Sequence, residues 1–282
     1  MTTDGRSPRS KGTRVRSRKE INAEIERRSS KGTFDFQNTV SIDMDSLIDQ
    51  GVHVTGEDAQ GLRDEMRRIK WPVLDNAFGG QQDMLPNGHL AMVTSATSGE
   101  GKTFTSINLA MSIASEREVG VLLVDADIAK PHVSKVFGLS EKPGVIDYLA
   151  GEVNDLSDVI VGTSISGLSL LPAGRADAHA SELIASSRME DMMSSLDEMM
   201  PGSIILFDTS PLLQTNESQV LSRMVGQVVL VVAANRAPQP AVQEAVSLLD
   251  QDLVVNVVFN RVESLFSQKH RYGGYYGYQS RR

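Results

Sequence analysis

Lys102 and Thr103 close an eight-residue run, Ala96-Thr97-Ser98-Gly99-Glu100-Gly101-Lys102-Thr103, with the form of a P-loop: a small residue, four others, then Gly-Lys-Thr. In such a loop a phosphate chain is held by successive backbone N–H groups and by the positive end of the helix that follows. Lys102 would reach the β/γ-phosphates and the Thr103 hydroxyl would ligate Mg²⁺, with Ser98 through Phe104 as the contact segment. Carboxylates stand at two other places that suit this chemistry. Val121-Leu122-Leu123-Val124 runs into Asp125-Ala126-Asp127, and Ile204-Ile205-Leu206-Phe207 runs into Asp208-Thr209-Ser210-Pro211. An acid at a strand end can complete a Mg²⁺ shell, directly or through water, and a second pair can orient a nucleophile or accept its proton. Taken singly, Asp125 or Asp208 reads equally well as a turn former, and Asp127 as a cap for a helix near Pro131. Together with the loop, the three acids predict a Mg–nucleotide site with Thr103, Asp125 and Asp208 at the metal and Lys102, Asp125 and Asp127 in catalysis.

These groups must be positioned by strands and helices, and the pattern supplies them. Apolar runs predict strands at 90–95, 119–124, 168–171, 203–207, 227–233 and 254–259. Helices are expected at 102–117, 131–137, 180–200, 217–224 and 239–251. In the first, Ile107, Ala110, Met111 and Ala114 follow an i, i+3, i+4, i+7 spacing. Val228-Val229-Leu230-Val231-Val232 does not alternate, as expected for a strand covered on both faces. The predicted fold is α/β: a doubly wound, mainly parallel sheet of P-loop NTPase architecture, with the ligand at the carboxyl ends of the strands. Upstream, 58–69 reads as a helix that Pro72 breaks or kinks, with 73–78 resuming it. Residues 1–55 are expected to be a disordered basic segment followed by a weakly ordered arm, 56–264 the catalytic domain, and 265–282 a flexible tail.

Composition narrows the class further. The chain has 282 residues, no cysteine and five scattered histidines, so disulfide and thiol chemistry are excluded. No apolar run approaches the roughly 20 residues of a membrane span, and no signal peptide is read at the N-terminus. A soluble cytoplasmic protein is the expectation. Net charge is −8, but residues 1–33 hold ten Lys/Arg against four Asp/Glu, and 269–282 hold Lys269, Arg271, Arg281 and Arg282 with no acid. Setting those +6 and +4 ends apart leaves the body at −18. An acidic body with basic ends argues against nucleic acid as a partner. The ends suit either anionic lipid or polyphosphate, or simple solvation.

The last unusual feature is Tyr272-Gly273-Gly274-Tyr275-Tyr276-Gly277-Tyr278, which holds four of the five tyrosines. Its glycines oppose a stable helix or packed strand. Beside an ATP site, a mobile cluster of phenols reads as a phosphate acceptor. Each phosphotyrosine adds about −1.5 to −2, so four would turn the +4 tail negative and convert attraction to an acidic rim into repulsion.

Together the P-loop, the Asp-Ala-Asp and Asp-Thr-Ser-Pro strand ends and the tyrosine cluster resemble the bacterial tyrosine kinases (BY-kinases) of exopolysaccharide synthesis, over about residues 60–282. The likeness is nearest to the exosortase-associated (PEP-CTERM) autokinases. It is carried by Arg67-Arg68-Ile69-Lys70, Met92-Val93-Thr94-Ser95, Gly99 to Phe104, Leu171-Pro172-Ala173-Gly174-Arg175 and Ala180-Ser181-Glu182-Leu183. The resemblance implies ATP-dependent autophosphorylation in trans within a ring of subunits, with Tyr272, Tyr275, Tyr276 and Tyr278 as acceptors. In it, Lys102 and Thr103 match Walker A, Asp125 and Asp127 match Walker A′, Asp208 matches Walker B, and Asn260 and Arg261 match base contacts. It also implies a separate transmembrane chain-length regulator as activator, a cognate phosphatase, and a place at the inner face of the membrane. Three positions depart from the family: Ser210 for a proline, Lys130 for an arginine, and Trp71 for the last arginine of Glu-x-x-Arg-x-x-Arg, whose first two positions are Glu65 and Arg68.

Two other readings compete. A MinD/ParA-like ATPase switch shares the fold and the acids, but many of its members carry a second lysine where Thr97 stands, and a C-terminal amphipathic helix where the Gly/Tyr tail stands. A non-catalytic nucleotide-binding partner is opposed by the intact Lys102, Thr103, Asp125 and Asp208.

Overall fold

A computed structural model describes residues 38–50, 52, 60–79 and 85–262. The tyrosines of the tail lie outside the described residues. Eight strands form one sheet: β1 (Thr39–Val40), β2 (Leu90–Ser95), β3 (Gly120–Ala126), β4 (Val161–Thr163), β5 (Leu168–Leu171), β6 (Ser203–Thr209), β7 (Gln227–Ala233) and β8 (Val254–Asn260). Their order is β1-β4-β5-β3-β6-β2-β7-β8. Every pairing is parallel except β4 with β5. The sheet is thus of the doubly wound, mainly parallel type, as the apolar runs predict. β2, β6 and β7 are buried at every residue, which explains why their sequences do not alternate.

Two apolar layers sandwich the sheet. One packs Val93, Val121, Leu206 and Val229 beneath α2 (Gln60–Phe78) and α3 (Lys102–Ala114). The other packs Met92, Leu122, Phe207 and Leu230 with Met189, Met192 and Leu196 of α7 (Ser187–Met199). α2 runs unbroken through Pro72, where the sequence predicts a break or a kink. Pro72 is exposed, so the carbonyl one turn back, deprived of its donor, faces water rather than the core. α2 is pinned to α3 by Lys70, which is 1% exposed and donates from Nζ to Ser112 O at 2.9 Å and to Glu116 Oε1 at 2.6 Å.

Several elements differ from the sequence expectation, among them β4, for which no strand was predicted. The helix expected at 180–200 is two, α6 (Ala180–Ile184) and α7, separated where Ser186 turns extended. A short helix, α5 (Val145–Ala150), was not foreseen. It is tied to the loop after β5 by Asp147, which accepts from Gly144 N at 2.9 Å and Arg175 Nε at 2.7 Å. The segment expected as a weakly ordered arm carries β1, paired with β4, and α1 (Met44–Asp49), which buries Leu47. The remaining helices are α4 (His132–Val136), α8 (Asn216–Ser222) and α9 (Gln239–Ser247). Among the described residues no helix is long and apolar enough to cross a membrane.

Candidate active site

The loop between β2 and α3 is shaped by its glycines. Gly99 and Gly101 have φ of 81° and 101°, backbone that side chains rarely adopt. At Gly101 a Cβ would also collide with the amide of Asn260, which donates to Glu100 O at 2.9 Å. The Glu100 side chain turns inward and is 3% exposed. Its carboxylate accepts from Thr97 N at 2.6 Å, Thr97 Oγ1 at 2.9 Å and, across to β7, Ala233 N at 3.0 Å. The loop is therefore fastened to the ends of β7 and β8, and any ligand contact from Glu100 comes from its backbone.

Behind the loop, parallel pairing sets Asp125 directly beside Asp208 at the ends of β3 and β6. Both carboxylates are fully buried. Asp208 accepts from Thr103 Oγ1 and from Ser106 Oγ, each at 2.7 Å. Asp125 accepts through Oδ2 from Ser134 N and Ser134 Oγ, each at 2.7 Å, while its Oδ1 is buried without a hydrogen-bond partner. Burial and then the charge of Asp208 push the Asp125 carboxyl up to about 7. Burial pushes Asp208 up to about 6 against the pull of the Thr103 and Ser106 hydroxyls. Asp127 is also raised by burial, opposed first by Lys102. A buried acid pair with one oxygen unsatisfied is an arrangement that a divalent cation relieves. Thr103, Asp208 and Asp125 thus fit Mg²⁺. No group of three or more acidic, His or Cys side chains forms a metal cage among the described residues, so phosphate and water oxygens would complete the shell.

Eight of the twelve sequence-predicted residues that are described meet at one cavity of about 460 Å³. Ser98, Gly99, Gly101, Lys102, Thr103, Phe104, Asp127 and Arg261 line it, while Asp125, Asp208, Glu100 and Asn260 stand in its supporting layer. Arg261 holds a φ of 55° and donates its N–H to Asn260 Oδ1 at 2.8 Å. Tyr272, Tyr275, Tyr276 and Tyr278 lie outside the described residues. A second cavity, of about 430 Å³, opens at the amino ends of the strands beside Phe78, His89 and Asp197, away from all of these groups.

Sequence reasoning missed Ser106, Ser134, Gln50 and Val52. Ser106 was legible: it lies three residues past Thr103 and therefore on the same helix face. Ser134 had no local signal, because its contact with Asp125 depends on where α4 packs. Gln50 and Val52 line the cavity from the arm, a long-range closure that no spacing encodes.

Residues 91–272 match the family model described as the CobQ/CobB/MinD/ParA nucleotide binding domain. EpsB of Ralstonia nicotianae, a tyrosine-protein kinase by its name, is 32% identical over 202 residues, covering 68% of this chain and 26% of EpsB. The tyrosine-protein kinase Wzc of Salmonella typhi is 28% identical, covering 70% of this chain and 27% of Wzc. The chain thus spans about a quarter of the length of these relatives. The crystal structure of the VpsO kinase domain is 32% identical and superposes with a TM-score of 0.61, covering 74% of this chain and 100% of that domain. The chain belongs to the CobQ/CobB/MinD/ParA nucleotide-binding family and, within it, to the bacterial tyrosine kinases.

Proposed function

We propose that the chain is an ATP-dependent protein-tyrosine autokinase whose acceptors are Tyr272, Tyr275, Tyr276 and Tyr278, phosphorylated between copies. One observation carries the reading: a raised, buried acid trio, Asp125, Asp127 and Asp208, stands behind a P-loop whose Lys102 and Thr103 face the same cavity. ATP would supply the phosphoryl group, and Mg²⁺, held by Thr103, Asp208 and Asp125, would neutralise charge on it. Lys102 and the loop N–H groups hold the phosphate chain, and Thr103 and Asp208 fix the metal side. A bond forms between the phenol oxygen and γ-phosphorus as the bond to the β-phosphate oxygen breaks. The phenol, with an ordinary pKa near 10, gives its proton to a carboxylate. Asp127, at the cavity wall and made more basic by burial, is the assigned base; Asp125, with one oxygen unpaired, is the next candidate. Asn260 and Arg261 are assigned to the base of the nucleotide.

We assign the kinase a role in exopolysaccharide synthesis or export, as the resemblance to the BY-kinases implies. We assign as partners other copies of this chain, a separate membrane-spanning chain-length regulator and a phosphatase, and a working place at the inner face of the membrane. Glu65 and Arg68, exposed three residues apart on α2, are available for self-association. Incubating the purified chain with Mg-ATP and probing for phosphotyrosine tests the function. A signal lost on changing the four tail tyrosines to Phe supports the kinase. ATP hydrolysis without phosphotyrosine supports an ATPase switch, and nucleotide binding with neither supports a passive binder.

A further inference from the structure

The arm at 38–52 reaches the reaction cavity from a different side than Arg261 does. Sheet order places β1 beside β4, beyond β3 as seen from the P-loop strand β2, whereas β8 with Asn260 and Arg261 lies on the other flank. The arm enters from the β3 side, where Asp125 and Asp127 emerge. Its end meets Ile107 of α3 and His132 and Val136 of α4, and Gln50 and Val52 line the cavity with them. Leu47 and Val52 are each 2% exposed, and Val52 N donates to Leu47 O at 2.9 Å, so the end of the arm is seated in the core rather than laid over it. Gln50 is exposed.

We propose that the end of this arm, residues 45–50 with Val52 beneath them, is the docking wall for the incoming acceptor segment, the basic tyrosine-bearing tail. Three observations favour that occupant over the nucleotide. The nucleotide's own anchors, the P-loop and Arg261, lie on the opposite side of the acids. Exposed Gln50 and partly buried Val136 offer an amide and an apolar edge over a floor of Val52 and Ile107, each 2% exposed, which suits a phenol ring and a peptide backbone rather than a phosphate chain. Charge is complementary: residues 38–52 carry Asp43, Asp45 and Asp49 and no Lys or Arg, while the tail carries Lys269, Arg271, Arg281 and Arg282. Asp43 is engaged as the cap of α1, accepting from Asp45 N at 3.0 Å. Asp45 and Asp49 are exposed and have no basic partner among the described residues. Phosphorylation reverses the sign of the tail, so the same wall that attracts the substrate releases the product.

This inference rests on the kinase reading of the site, and its test separates the two. A fluorescent peptide of residues 266–282, unmodified or phosphorylated on its tyrosines, is titrated into the full chain at low salt, and Mg-ADP binding is measured in parallel. The doubly neutralised variant Asp45→Asn/Asp49→Asn is expected to bind the unmodified peptide about fivefold more weakly, with Mg-ADP affinity unchanged within twofold. Gln50→Ala is expected to weaken peptide binding as well, and the phosphorylated peptide to bind the wild-type chain more weakly than the unmodified one. Equal peptide affinity in all variants overturns the docking wall, and so does an equal loss of Mg-ADP affinity, which would make the arm part of the nucleotide wall. A wild-type chain that forms no phosphotyrosine overturns the kinase reading itself, whatever the peptide does.

Discussion

Asp125 and Asp208 are side by side, fully buried and both raised, to about 7 and about 6. An acid raised by folding holds its proton more tightly in the native state than in the unfolded chain. Between the ordinary value of 3.8 and about 7, the native state therefore binds more protons, and these two groups make stability fall as pH rises through that window. A bound cation favours the carboxylates and reverses the effect. Mg-ADP binding near pH 6.5 should consequently release protons, measurable by calorimetry in buffers of different ionisation enthalpy; proton uptake would contradict the assignment of these acids to the metal. Ser134→Ala removes a hydroxyl that stabilises the Asp125 carboxylate. Its acid limb in a pH–rate profile should move to higher pH and kcat should fall by about tenfold, corresponding to roughly one lost charge-assisted hydrogen bond. A fall in kcat with an unmoved profile would limit Ser134 to packing. The acids themselves were legible as polar ends of apolar runs. What tunes them was not, because Ser134 reaches Asp125 only through the placement of α4.

At the scale of the element, the P-loop and β8 form one unit. Gly99 and Gly101 are both left-handed, but an added Cβ meets open space at Gly99 and the Asn260 amide at Gly101. Gly99→Ala should cost about 1 kcal/mol of stability, from backbone strain alone. Gly101→Ala should cost more and also abolish nucleotide binding, because the loop must separate from Asn260. Thermal melts with and without Mg-ADP check both, and equal behaviour of the two variants would contradict the proposed coupling. α2 depends on Lys70 in a similar way. Lys70→Ala leaves Ser112 O and Glu116 without that donor and should destabilise by about 2 kcal/mol. Strands and helices with long apolar patterns were readable within a few residues. β1, β4 and α5 were not, because two- to six-residue elements owe their form to neighbours rather than to periodicity.

For the whole molecule, the sheet gathers into one cavity residues scattered from Gln50 to Arg261, with the arm on one flank and Arg261 on the other. The sequence disclosed the P-loop, the acids and the acceptor-like tail, each by local pattern. It did not disclose that an N-terminal segment returns to the site, because that closure spans the P-loop and is fixed only by pairing of β1 with β4 and by burial of Leu47. The proposed reaction is transfer from the Lys102 site of one copy to the tyrosines of another. It is tested most directly by mixing a full chain carrying Lys102→Met with a chain whose four tail tyrosines are Phe, adding Mg-ATP, and probing for phosphotyrosine. Neither chain alone should give a signal, and the mixture should place phosphotyrosine on the Lys102→Met chain. A mixture as silent as its components, when the unaltered chain is active, would contradict transfer between copies.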